Sequence, residues 1–325
     1  VLTPNEIGQL FEALKQMAAK GKAIVFISHK LDEVMALADE IAVLRRGEVV
    51  DTMDADEVDS KAELARRMVG REIILEVDKP PVETRQLVLR ARNLSDDPLK
   101  DVSFDLRQGE ILGIVGVAGN GQKPLLETIC GLKAPGQGSV QLLGKPWKNF
   151  FARRPWDAAL SYIPEDRQGL ATCIDLDLTD NFLLTTRKGF CTGPWLKRGL
   201  AEKKAADAIQ NFDIHPPDVK ILARQLSGGN LQKMVLAREF YCRPRLIVAE
   251  QPTQGLDIAA TEDIWKLLLK ARDRAGILLV TGDLTEALAL ADRVAVMFRG
   301  QIMDTFHISE SDKVDRIGLM MAGIP

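Results

Sequence analysis

The residues best placed to do chemistry lie in Gly116–Pro124, GVAGNGQKP, directly after the apolar run EILGIVG. Gly116 and Gly121 stand at the spacing of a phosphate-cradling loop, G-x-x-x-x-G-K-[ST], with Gly119 and Asn120 between them. Such a loop holds phosphate oxygens on backbone N–H groups at a helix N-terminus. Its lysine reaches the β- and γ-phosphates, and its hydroxyl binds Mg2+. Here Gln122 occupies the lysine position and Lys123 the hydroxyl position. Lys123 cannot stand in for the lysine, because one helical step turns a side chain by about 100°. Two further stretches carry reactive types. In LSGGN, the Ser227 hydroxyl and the Gly228 and Gly229 amides suit a helix cap that binds anions. In RLIVAEQPTQGLD, an apolar run ends on Glu250, a carboxylate that can reach a metal through water, and Gln251. An amide can orient a water molecule but is a negligible base.

The elements that must position these groups alternate between strand and helix patterns. QLVLRARNLS and LKDVSFDLRQGEILGIVG read as strands, and the glycine loop opens the helix GQKPLLETICGL. After a largely helical middle section that includes LAEKKAADAIQNF come strand RLIVAE, helix EDIWKLLLKARDR, strand ILLVTG and helix LTEALALA. The hairpin RVAVMFRGQIMDTF then turns at Arg299–Gly300. This order predicts a parallel sheet covered by helices. A net charge of −3 gives no electrostatic ground for a nucleic-acid partner. No apolar run approaches the ~18 residues of a membrane span. The four cysteines lack C-x-x-C spacing and read as reduced thiols.

The chain also repeats itself. Residues 23–52 laid on 276–305 at an offset of 253 give thirteen identities in thirty positions, among them Leu31/Leu284, Glu33/Glu286, Gly47/Gly300 and Asp51/Asp304. The opening residues, VLTPNEIGQLFEALKQMAAKGKAIVFISHK, are expected to run helix then strand. With the second copy starting near Gln86, the first would start roughly 170 residues before Val1, in a tandem protein of roughly 500 residues. REIILEVDKPPVETRQ, with Pro80–Pro81, is expected to be the linker.

In this order and spacing, the glycine loop, LSGGNLQKMVLARE and RLIVAEQPTQGLD resemble the Walker A loop, signature, Walker B strand and D-loop of an ABC-type ATPase. SYIPEDRQGL, GVAGNGQ and LSGGN together are similar to the second half of tandem importer ATPases for simple sugars and nucleosides; EQPTQGLD leans toward the nucleoside branch. The resemblance covers nearly the whole chain. It implies an α/β, P-loop NTPase-like ABC domain over 86–325, with a mixed sheet, a β-subdomain and a helical subdomain. The C-terminal part of another copy would span 1–72 and a linker 73–85. It also implies ATP and Mg2+ as cofactors, ATP being sandwiched between the Walker A loop of one half and the signature of the other.

Position by position, the resemblance makes Gly116, Gly119, Asn120, Gly121, Gln122 and Lys123 the phosphate loop, and Glu165 the counterpart of the Q-loop glutamine. Glu250 takes the metal aspartate's place, Gln251 the catalytic glutamate's, and Asp257 closes the D-loop. Gly282 stands where a switch histidine is expected, opposite His29 in the repeat. The adenine-stacking aromatic is missing from NLSDDPLKDV. The chain's own site thus reads as degenerate, while Ser227–Gly229 serve a first-half site to which His29 belongs. The expected role is the ATP-binding subunit of an importer at the cytoplasmic face of the membrane. Its partners would be integral membrane permease subunits and, indirectly, an extracytoplasmic substrate-binding protein. Two other readings stay open: a soluble tandem ABC protein acting on ribosomes or DNA, and a pseudo-ATPase regulatory module.

Overall fold

A computed structural model of the chain describes residues 4–28, 31–45, 48–58, 60, 63–64, 67, 79–152 and 159–324. They form two compact units, one from 1–78 with 256–265 and the other from 79–255 with 266–325.

The first unit contains helices Pro4–Ala19 and Leu31–Leu37 and the antiparallel hairpin β1 (Glu40–Arg45) and β2 (Glu48–Asp54). Leu31, Val34, Ile41, Val43, Met53 and Leu64 form its core. The strand expected in AIVFIS is absent: these residues have no regular structure, and Val25 and Ile27 are 94% and 97% exposed. The reason lies in the kind of strand it would be. A uniformly apolar strand is stable only with paired neighbours and covered faces. Among the described residues of this unit, none pairs with it.

The second unit contains two sheets. β3 (Leu87–Asp96), β4 (Leu99–Arg107), β6 (Gln137–Leu142) and β7 (Lys145–Pro146) form an antiparallel sheet in the order β4-β3-β6-β7. The larger sheet uses β5 (Ile111–Val115), β8 (Leu160–Ile163), β11 (Leu246–Glu250), β12 (Gly276–Thr281), β13 (Arg293–Phe298) and β14 (Gln301–His307), ordered β14-β13-β5-β12-β11-β8. All neighbours in it are parallel except β13 with β14. Every residue of β5, β11 and β12 is buried, as continuous apolar runs in a doubly covered sheet require. One core joins both sheets to helix Gln122–Ile129. A second, separate core joins helices Leu178–Thr186, Arg198–Asn211 and Gly228–Tyr241 around Phe182, Phe190, Ile209 and Met234. Between the first two of these helices, β9 (Cys191–Thr192) and β10 (Trp195–Leu196) form a small hairpin. The mixed sheet, β-subdomain and helical subdomain expected from the sequence are all present.

The repeat extends to element boundaries. Shifted by 253, helix Leu31–Leu37 becomes Leu284–Leu290, β1 becomes β13 and β2 becomes β14, with the same end positions. The ladder irregularity at Val43/Leu44 likewise falls on the one at Val296/Met297.

Of the stretch expected as a linker, residues 73–78 lie outside the described residues. From Lys79 onward the chain is strapped to the second unit. Lys79 pairs with Asp292 at 3.3 Å, Arg272 donates to the Pro80 carbonyl, and the Arg85 amide donates to Gln108 at 2.9 Å. Asp292 is the hub of this strap, because it also pairs with the buried Arg272 at 2.9 Å and accepts from the Ile111 amide at 2.8 Å.

Candidate functional site

The strand order brings the carboxyl ends of β13, β5, β12, β11 and β8 to one edge, where open α/β sheets bind ligands. The glycine loop follows β5, Gly282 follows β12, Glu250 and Gln251 stand at the end of β11, and Glu165 follows β8.

The loop is closely packed at its ends and open in the middle. A Cβ on Gly116 would lie 2.5 Å from the Met297 carbonyl oxygen and 2.6 Å from Gln122 Nε2, so only glycine fits. Gly121 takes φ 107° as the residue before helix Gln122–Ile129. Asn120 fixes the loop to the β13–β14 turn: its side-chain oxygen accepts from the Arg299 amide at 2.9 Å and its carbonyl from Gly300 at 2.8 Å. Gly119, at φ 89°, has nothing within 4 Å of the place a Cβ would take. Gln122 folds back and donates from Nε2 to the Val117 carbonyl at 3.1 Å, closing the loop on itself. Lys123 is exposed on the first helical turn.

Glu250 is 9% exposed and already engaged, with Oε2 accepting from the Tyr162 hydroxyl at 2.6 Å and the Glu165 amide at 3.4 Å. Burial first, and then this carboxylate, push the Tyr162 hydroxyl above the usual tyrosine range. The Cys130 thiol is pushed up in the same way, by burial and then by Glu250. Gln251 adopts φ 45°, and its Oε1 accepts from the Thr281 hydroxyl and the Gly282 amide, both at 3.3 Å. The amide thus latches onto the position where a switch residue would stand. Glu165 is exposed; near it, Arg167 donates to the Gln254 carbonyl, and burial lowers its pKa. Asp257 is exposed and caps helix Ile258–Arg272, its Oδ1 accepting from the Ala260 amide at 2.8 Å.

The signature segment is built differently. Ser227 caps helix Gly228–Tyr241, its hydroxyl accepting from the Asn230 amide at 3.3 Å and from Asn230 Nδ2 at 3.0 Å. Ser227 and Gly228 are exposed, so the first-turn amides are open to an anion. Among the described residues no hydrogen bond joins this segment to the glycine loop. His29 lies outside the described residues.

Residues 99–254 match the ABC transporter family. The second unit carries an ABC transporter ATPase domain. The chain is homologous to import ATP-binding proteins. It is 40% identical over 334 residues to the glucose import ATP-binding protein of Haloferax volcanii, covering 99% of this chain and 60% of that one. It is 36% identical over 332 residues to the guanosine import ATP-binding protein of Bacillus subtilis, covering 99% and 65%. It therefore spans less than two thirds of the length of these relatives. In fold it matches an ATP-binding subunit of an ABC transporter with TM-score 0.61 at 21% identity, over 72% of this chain and 99% of that one.

Set against ABC ATPase chemistry, the loop and the carboxylate part ways. The backbone cradle fits a phosphate group, since Gly119 and the first turn of helix Gln122–Ile129 leave amides and space. The donor set around Glu250 does not fit Mg2+. One carboxylate is tied to Tyr162, Gln251 is latched to Gly282, and a lysine replaces the hydroxyl. The oxygen hydrogen-bonded to Glu250 is the neutral Tyr162 hydroxyl, and among the described residues no group of three or more His, Cys, Asp or Glu side chains is placed to hold a metal ion. Replacing Gln122 by lysine adds an ammonium where phosphates would lie. It should tighten a fluorescent ATP analogue about tenfold, or ~1.4 kcal/mol. An unchanged binding curve would contradict this placement of the loop.

Some functional neighbours were invisible in the sequence. Tyr162, which holds Glu250, lies in an ordinary strand pattern. Arg238 and Glu239 are 4% and 8% exposed, and Arg238 Nε donates to Glu239 Oε1 at 2.9 Å. Glu239 also accepts from Ser161 of β8 at 2.9 Å and Thr185 at 3.2 Å, while Arg238 donates to the carbonyls of Ala171 at 2.7 Å and Asn181 at 3.3 Å. The pair ties the signature helix to the large sheet and to the segment following Glu165. The available signal was a charged dipeptide inside the otherwise apolar MVLARE.

Proposed function

We propose that this chain is part of the ATP-binding subunit of an ABC importer for nucleosides or simple sugars, and that it works as a signature donor. Ser227, Gly228 and Gly229 complete an ATP site whose Walker A loop, Mg2+ and catalytic carboxylate belong to another ABC domain, together with His29. The chain's own loop holds nucleotide through backbone amides without hydrolysing it. One observation carries this reading: an intact, exposed and capped signature shares a domain with a loop that lacks the lysine, the hydroxyl, the catalytic glutamate and the switch histidine. The element boundaries repeated at 253 support a tandem arrangement, with 1–72 derived from a first copy. The relatives named for import of glucose and guanosine support the transport role.

In this role the subunit sits at the cytoplasmic face of the membrane against permease subunits, with a substrate-binding protein feeding the other side. Among the described residues no helix is long and apolar enough to cross a membrane, so the permease would supply the translocation path. Uptake of labelled guanosine, adenosine, ribose and glucose by cells with and without the coding sequence tests the role. Loss of at least one uptake is expected; uptake unchanged across the panel would sink it.

A further inference from the structure

We propose that the hairpin of β9 and β10 is a lipid-contact element that rests on the surface of an anionic bilayer. It extends beyond the importer reading and does not depend on it, since it concerns a contact made without any permease.

The stretch 186–200, TRKGFCTGPWLKRGL, holds four cations, Arg187, Lys188, Lys197 and Arg198, and no carboxylate, in a chain whose net charge is −3. Trp195, next to the turn, is 78% exposed, and Leu196 after it is exposed as well. An exposed tryptophan next to leucine would cost little if the hairpin were frayed, but its base is pinned. Phe190 is 2% exposed and packs on Phe182 and Tyr241, with ring centroids 6.0 and 5.9 Å apart. The Lys197 amide donates to the Phe190 carbonyl at 2.9 Å. Arg198 gathers the neighbouring carboxylates, bonding Asp177 at 2.8 Å, Asp180, and Glu202 at 3.5 Å. The carboxylates are thereby held at the base around one cation. Next to the turn stand the Trp195 indole, Leu196 and Lys197.

That combination matches a bilayer surface better than a protein groove or a nucleic acid. Indole rings favour the headgroup level, where an apolar body and a polar N–H are both satisfied. Cations near an anionic leaflet add attraction that decays within a Debye length. One exposed ring within the hairpin offers no series of stacking platforms for bases.

The test is flotation of the purified chain with vesicles of about one-third phosphatidylserine, and with vesicles of phosphatidylcholine alone. Binding is expected to the first and not the second, and to fall about tenfold in Trp195→Ala, in Lys197→Glu and at high salt. Vesicles with brominated acyl chains should quench tryptophan emission in the parent and spare it in Trp195→Phe, which keeps an aromatic ring at this exposed position. Equal binding to both vesicles, no binding to either, or binding unaffected by Trp195→Ala would each overturn the proposal. A hairpin whose variants alter binding to an oligonucleotide but not to vesicles would overturn it too.

Discussion

Replacing Glu239 by alanine should cost the second unit about 3–5 kcal/mol, a large share of the roughly 5–15 kcal/mol by which domains are stable. The side chain is 8% exposed and accepts from Arg238, Ser161 and Thr185. Removing it leaves a guanidinium buried at 4% exposure with its closest carboxylate gone, and two hydroxyls without their acceptor. The pair was costly to bury, but breaking it is costlier, because the remaining charge keeps its desolvation penalty. Glu239→Gln keeps one of the two acceptor oxygens, turns the other into a donor and loses the charge, so it should fall between. Urea unfolding reads the difference as a lower midpoint at unchanged slope. A loss below about 1 kcal/mol for Glu239→Ala would show that water or rearrangement satisfies Arg238. The pair joins the signature helix to β8, so Ser227 should be misplaced before the unit unfolds.

The second large effect concerns turnover. By itself the chain should release phosphate from ATP at background rate. Three deficits act on one site. Gln251 is no base, and a positioned base contributes about 10²–10⁴-fold. Gln122 carries no charge to stabilise the transferring phosphoryl group, a term worth about 10²–10³-fold for a single donor. Among the described residues no group of three or more His, Cys, Asp or Glu side chains is placed to hold Mg2+. The losses act on the same transition state, so restoring any one of them should recover little. Supplied with a competent ABC domain, the chain should instead contribute its signature. Ser227→Arg, which fills the exposed cap with a bulky cation, should lower that partner's turnover by about a hundredfold.

The fold was largely legible in the sequence because its signals are local. β5, β11 and β12 are uninterrupted apolar runs, the glycine loop announces the helix that follows it, and Arg299–Gly300 marks the final hairpin. The identities of the residues at the site could be read directly, since a missing lysine needs no structure to be noticed. What those residues do instead was not legible. Gln122 bonding Val117, Gln251 latching Gly282 and Tyr162 holding Glu250 depend on distances between elements far apart in sequence. The failure at AIVFIS has the opposite cause. Its pattern is that of a buried strand, but a strand also requires neighbours, and pattern alone does not supply them. The residues strapped through Lys79 and Arg272 read as a linker because proline and charge mark irregular chain, not whether that chain is held down.

The most direct test of signature donation is phosphate release measured on the purified chain alone, and then with a competent ABC ATPase domain added. Background release is expected from the chain alone, and release with the partner that disappears in Ser227→Arg. Steady turnover by the chain alone, lost on substitution of its own Ser227, would contradict it.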